Sequence, residues 1–270
     1  MRRVAVGLFL CLGLAFAFTL ASAHDLFIKM DSYFLPPDTP VEIPIINGTF
    51  ELSENSITGD RVSDISLIRD GARKKLNLDG WKADRDTTFY SMRTGEPGTY
   101  VFGVSTLTRD LGMDAPDFNE YLAHDGVVDV LAQRALDREL DVGVWERYSK
   151  HVKAVFQVGD RRTGGLDVVL GYPAELLPLT NPYELSVGDE MAVRAMVYGQ
   201  SVSRQLVLAG GSGANGPIAE REARTDTDGV VRFRIEAPGR WYIKFINMQK
   251  TNAEGVDYES QWATLSFEVH

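Results

Sequence analysis

The chain has 270 residues, 44% of them hydrophobic and 24% charged, with 28 Lys and Arg against 38 Asp and Glu and a formal charge of −10. That length suits one large or two ordinary domains, either able to bury a core without disulfide staples. An acidic chain without a basic stripe excludes nucleic acid and anionic membrane surfaces as expected partners.

The first 23 residues read as an export signal. Arg2 and Arg3 precede an apolar run from Val4 to Leu20, and Ala21-Ser22-Ala23 has the small-x-small pattern of a peptidase site. Cleavage after Ala23 would make His24 the first mature residue and place the protein in a bacterial periplasm. The run is short for a bilayer span and no later segment matches it, so no integral membrane span is expected in the mature chain. Cys11 is the only cysteine and lies inside the signal, which leaves the mature chain no disulfide, thiolate ligand or thiol nucleophile.

Leu26, Ile28 and Met30 alternate with Phe27 and Lys29 as in a strand, and Val41–Ile46 reads as a second strand ending at the turn signal Asn47-Gly48. Residues 62–69, 86–91 and 99–104 are further strand candidates. Near residue 114 the period changes. Val128, Leu131, Ala132, Ala135, Leu136 and Leu140 recur at three- and four-residue intervals, which predicts a helical insertion over about 114–148, with Asp125-Gly126 as a helix start.

From Lys150 the period returns to two. Val152, Ala154, Phe156 and Val158 take the core side, and His151, Lys153, Val155 and Gln157 the other, read as the polar side. Gly159–Gly165 reads as a linker. Alternating runs at Met191–Val197, Val231–Glu236, Trp241–Phe245 and Ala263–Val269, with turn dipeptides between them, predict a sandwich, and Gly210–Gly216 reads as a flexible loop.

His24 is the sharpest chemical feature. Once the signal is cut, its α-amine and imidazole form a chelate on one residue, and an α-amine, with a pKa near about 8, is freed for a metal far more readily than a lysine amine. Such nitrogen pairs suit Cu(II), Ni(II), Co(II) and Zn(II). His151, on the expected polar side of its strand, is the candidate second ligand. Asp25 is a candidate to orient the chelate or add an oxygen donor, and His124, before the expected helix, is a further candidate. Tyr148, Arg147 and the Asp257-Tyr258-Glu259 cluster are weaker neighbours of such a site.

Other signatures are absent. Asp226-Thr227-Asp228-Gly229 opens like a calcium loop but lacks its glutamate, and reads as a tight turn. There is no phosphate loop, Gly-x-Ser-x-Gly elbow or His-Glu-x-x-His helix.

The mature start His24-Asp25-Leu26-Phe27-Ile28-Lys29 and the segment Asn47-Gly48-Thr49-Phe50-Glu51 carry a resemblance. So do Glu146–Ala154, Gly171-Tyr172-Pro173, Asn181-Pro182-Tyr183, Gly239–Phe245 and Asp257–Ser260. Together they resemble the bacterial exported proteins of domain of unknown function 4198 (DUF4198), a family grouped with NikM-like components of nickel and cobalt uptake. The resemblance implies a periplasmic all-β protein with an immunoglobulin- or prealbumin-like C-terminal part, and transition-metal handling. The chain lacks the membrane spans of the uptake components, so a role as permease subunit is not expected.

The expected fold class is therefore all-β: two immunoglobulin/prealbumin-like β-sandwich domains, the first over 24–160 with the helical insertion, the second over 166–270. Three functions stand open. The first is a periplasmic transition-metal-binding or metal-delivery protein, more a carrier than an enzyme. It would hold a single divalent ion (copper, nickel, cobalt or zinc) and pass it to a metal-uptake transporter or another envelope protein. The second is a non-enzymatic structural or interaction module of the cell envelope. The third is a copper oxidative enzyme with a histidine-brace site.

Overall fold

A computed structural model describes residues 24–270; the expected export signal, residues 1–23, lies outside the described residues. The strands in chain order begin with β1 (Asp25–Ile28), β2 (Phe34–Leu35), β3 (Pro40–Gly48), β4 (Val62–Arg69), β5 (Ala72–Lys75), β6 (Trp81–Asp84), β7 (Thr87–Arg93), β8 (Gly98–Thr106) and β9 (Arg109–Met113). Helices α1 (Ala115–His124) and α2 (Val128–Asp137) follow, and then β10 (Val144–Val158) and β11 (Ala174–Pro178). The remainder is β12 (Glu190–Val197), β13 (Gln200–Ser201), β14 (Leu206–Gly213), β15 (Gly216–Arg224), β16 (Val230–Arg234), β17 (Gly239–Lys250) and β18 (Tyr258–Val269). The protein is thus mostly β, with open sheets and a short helical pair.

The axis of the molecule is a ten-stranded sheet ordered β15-β14-β17-β18-β10-β8-β4-β5, with β2 and β9 also paired to β10. β10 and β18 run parallel in register, Lys150 beside Trp262 and His151 beside Ala263. Strands from both sides of the expected boundary near residues 160–166 therefore join one sheet.

Both faces of this sheet are covered. On one face Val152, Ala154, Phe156, Tyr100 and Phe102 pack against Leu26, Ile28, Ile43 and Ile45 of the β1-β3-β7-β6 sheet. On the other, Val155, Val101, Ile243 and Leu265 pack against Leu176, Met191, Val193 and Phe233 of the sheet built from β11, β12, β13 and β16. Residues of opposite parity along one strand thus enter different cores.

The helical pair closes the rest of the first face, with Phe118, Tyr121 and Leu122 packing on Ile246, Met248 and Trp262. α1 starts at Asp114, whose carboxylate accepts from the Asp117 amide at 3.0 Å. Asp125-Gly126, expected as a helix start, instead ends α1 and turns the chain, with Gly126 at φ 75°. The helical segment is also shorter than expected, because β10 already begins at Val144.

Gly210–Gly216, expected as a loop, is mostly strand: β14 runs to Gly213 and β15 resumes at Gly216. The glycines are there for close approach. A Cβ on Gly211 would lie 2.1 Å from the Arg240 carbonyl oxygen, and one on Gly210 would lie 2.6 Å from the Tyr242 hydroxyl. Asp226–Gly229 is the tight turn expected: the Asp226 carboxylate accepts from the Asp228 and Val230 amides, and Gly229 has φ 75°.

Candidate functional site

His24 enters β1, which pairs with β3 in the register Asp25 to Gly48 and Leu26 to Asn47. β1 is also fixed to the central sheet, since the Thr264 hydroxyl donates to the Leu26 carbonyl at 2.7 Å and Ser266 donates to that of Ile28. These bonds place His24 at an edge between two clefts and line it along both.

The first cleft, about 300 Å³, brings together His24, Asp25 and His124 with Asp125, Glu220 and Lys244. Its aromatic wall is Phe27, Phe50 and Tyr242, with ring centroids 4.8–5.2 Å apart. Asp25 is buried and spoken for: its carboxylate holds the Lys244 ammonium at 2.6 Å, and Asp125 stands 3.4 Å from the same nitrogen. Burial alone would lower the Lys244 pKa, but the charges of Asp25 and Asp125 outweigh it and hold the ammonium well above its usual value. Asp125 is pushed up, by burial first and then by repulsion from Asp25.

His124, by contrast, has an 81% exposed side chain, with Nδ1 3.3 Å from Asp125 Oδ1. A carboxylate on one ring nitrogen leaves Nε2 as the outward one. The imidazole of His24 has Nδ1 3.4 Å from the exposed carboxylate of Glu54.

The second cleft, about 310 Å³, lies on the other side of His24 and contains Lys150, Arg61 and Arg109. Lys150 is on the same face of β10 as Val152 and Ala154. Its ammonium donates to the His24 carbonyl oxygen and to Asn47 Oδ1, the latter at 3.2 Å. Burial lowers its pKa to about 8, against the opposing pull of Asp25 and Glu146.

His151 is not brought to His24. It is the neighbour of Lys150 in an extended strand and faces the opposite core, 2% exposed. Ser105 Oγ lies 2.9 Å from its Nδ1 and Ser149 Oγ 3.0 Å from its Nε2. Ser149 in turn donates to Gln261 Oε1 at 2.5 Å, and Gln261 donates to the Tyr198 hydroxyl. That direction of donation fits a neutral ring protonated on Nε2. Burial lowers its pKa to about 4, against a smaller opposing contribution from the Gln261 hydrogen bond. The expected polar side of this strand is buried because a second layer covers it, and both ring nitrogens are already engaged.

Of the other neighbours, Tyr148 lines the second cleft. Arg147 turns away to a bidentate pair with Asp110, and Asp257 accepts from the Trp145 amide. Among the described residues, no three side chains of His, Cys, Asp and Glu converge closely enough to hold a metal by themselves. Nor is any described helix long and apolar enough to cross a membrane.

Lys150, Arg61 and Arg109 were not singled out from the sequence. Lys150 did carry a signal, a cation in the same period-two phase as Val152, Ala154 and Phe156. Nothing in the sequence links Arg61 and Arg109, which come from chain segments far apart in order.

No curated protein matches the chain. Several solved structures are distant likenesses. Trypsin-activated alpha-2-macroglobulin from Escherichia coli is 11% identical, over 93% of this chain and 16% of its own, with a TM-score of 0.24. The D0-D1 domain of intimin is 10% identical over 90% of this chain and 97% of its own, TM-score 0.20. Dimeric latent PorU from Porphyromonas gingivalis is 11% identical over 96% and 21%, TM-score 0.21. The family model described as domain of unknown function (DUF4198) matches residues 21–249, and the chain belongs to that family.

Proposed function

We propose that the protein is a periplasmic transition-metal-binding or metal-delivery protein, with a site completed when export processing after Ala23 frees the α-amine of His24. The amine and Nδ1 of His24 form a six-membered chelate, and His124 supplies a third nitrogen from across the cleft. The observation that carries this reading is the lining of one cleft by His24, Asp25 and His124. Asp25 serves the site indirectly, by fixing Lys244 beneath it.

The donor chemistry fits. Two imidazoles and an amine are borderline nitrogen donors, which bind Cu(II) most strongly and also Ni(II), Co(II) and Zn(II). Asp125 orients His124 as carboxylates orient metal-binding imidazoles elsewhere. The set depends on the amine, because the side chains alone make no three-donor cage among the described residues. A partly exposed site of this kind exchanges its ion readily, which suits delivery to a metal-uptake transporter or another envelope protein. The placement beside NikM-like nickel and cobalt uptake components belongs to the same proposal.

Calorimetric titration of the processed protein with each of the four ions tests it. One ion per chain is expected, with His24→Ala abolishing binding and His124→Ala weakening it about tenfold or more. Binding that is indifferent to His24 would overturn the reading and leave the non-enzymatic envelope module in its place.

A further inference from the structure

The second cleft carries chemistry that the metal reading does not use. Arg61 ends a one-turn 3-10 helix just before β4, Arg109 opens β9 opposite Tyr148 of β10, and Lys150 follows Tyr148 by two residues on the same face. The chain segments are tied where they meet: the Leu107 amide donates to the Arg61 carbonyl at 2.8 Å, and the Lys150 amide donates to the Thr106 hydroxyl at 2.9 Å. Three cations are thereby gathered round one concavity in a chain whose formal charge is −10.

Carboxylates act on these cations from beyond ion-pair distance, Asp60 on Arg61 and Arg109, and Asp25 and Glu146 on Lys150. No Asp or Glu is among the residues lining the cleft, and none of the three cations forms an ion pair among the described residues. Nearby basic groups behave otherwise, since Arg147 is paired with Asp110 and Lys244 with Asp25. Arg61 adds an independent sign: its Nε is buried and has no hydrogen-bond partner among the described residues. Lys150 is 8% exposed. Two of its three ammonium protons are accounted for by the His24 carbonyl and Asn47.

Clustered, unpaired cations in a half-closed space repel one another and lose hydration, and an anion relieves both costs. Guanidinium forks match the oxygens of carboxylate and phosphate groups, and an ammonium adds a point charge. Asn47, Asn55, Ser56, Thr58 and Thr106 supply neutral hydrogen-bonding groups around them. The volume, about 310 Å³, is at the small end of the range for ligand pockets, which extends from about 300 to about 1,000 Å³.

We propose that this cleft binds a small oxyanion, a carboxylate- or phosphate-bearing solute of few heavy atoms, through Arg61, Arg109 and Lys150. The site is separate from the metal chelate and does not require it. Its ligand would lie beside His24, which lines both clefts.

The test uses the full exported protein, stripped of metal by chelator and titrated at low salt with citrate, acetate and inorganic phosphate, with glucose as the neutral control. Saturable one-to-one binding of citrate or phosphate is expected, and the tighter of the two names the carboxylate or the phosphate class. Arg61→Gln and Arg109→Gln should each weaken it about tenfold, the loss of one charge-assisted contact. Arg109 is exposed, so Arg109→Gln carries the test if Arg61→Gln fails to fold. Absence of saturable anion binding, or equal binding by parent and Arg109→Gln, would overturn the proposal. His124→Ala separates the two sites, because His124 lines only the first cleft: it should weaken metal binding and leave anion binding in place.

Discussion

Lys150 and His151 stand on opposite faces of β10. The Lys150 ammonium donates to the carbonyl oxygen of His24, whereas the His151 ring is held between the hydroxyls of Ser105 and Ser149. The first cleft, where the metal chelate is proposed, and the imidazole of His151 are therefore separated by the thickness of the central sheet. His151→Ala should leave metal affinity unchanged while destabilising the fold by about 2–4 kcal/mol, through a cavity and two stranded hydroxyls. Paired denaturant and metal titrations of the one variant check both halves.

The same burial makes stability depend on pH through His151. Its pKa is about 4 in the folded chain and about 6.5 when unfolded, so the unfolded state binds more protons between those values. The contribution is complete above about pH 6.5 and falls away as the pH drops to about 4, a span of about 3 kcal/mol. The difference between parent and His151→Gln, followed by denaturant unfolding at each pH, should shrink by that order across the window. A difference that stays constant would contradict the assignment.

Lys153 and Glu175 form an ion pair at 2.6 Å, 2% and 1% exposed, linking the central sheet to β11. The Glu175 carboxylate also accepts from the amides of Leu170, Gly171 and Tyr172. Glu175→Gln removes the counter-charge and should cost about 3–5 kcal/mol by chemical denaturation. Replacing both partners, as in Lys153→Met with Glu175→Leu, should recover part of that loss on the Lys153 side.

The strand character of Gly210 and Gly211 is open to a direct check. Gly211→Ala pushes a Cβ to 2.1 Å from the Arg240 carbonyl oxygen, so β14 must move away from β17. A loss of about 1–3 kcal/mol is expected, as for other overpacked sites. In a flexible loop the same change would be neutral or slightly stabilising.

Residues 62–69 and 99–104 read as strands, and they fall in β4 (Val62–Arg69) and β8 (Gly98–Thr106). From Lys150 onward the sequence also predicts β10 as a strand, but with one polar side. Alternation reports parity, and it cannot say that a third layer covers the second face, where His151, Lys153 and Gln157 find partners in Ser105, Glu175 and Thr99. The parallel pairing of β10 with β18, which merges the two expected halves into one sheet, is a contact between distant segments with no local signature.

For the candidate site, the cleavage pattern points to His24 and Asp25, and His124 is singled out as a residue before an expected helix, although it ends α1. Their convergence on one cleft depends on how α1 docks against the central sheet, which no spacing encodes.

The most direct measurement combines intact mass with metal calorimetry on two forms of the protein, one beginning at His24 and one carrying a single extra alanine before it. The account predicts a mature terminus at His24 and one tightly bound ion per chain, with affinity at least about tenfold weaker in the extended form because its α-amine is tied up in a peptide bond. Equal affinity in the two forms, or a mature terminus elsewhere, would contradict it.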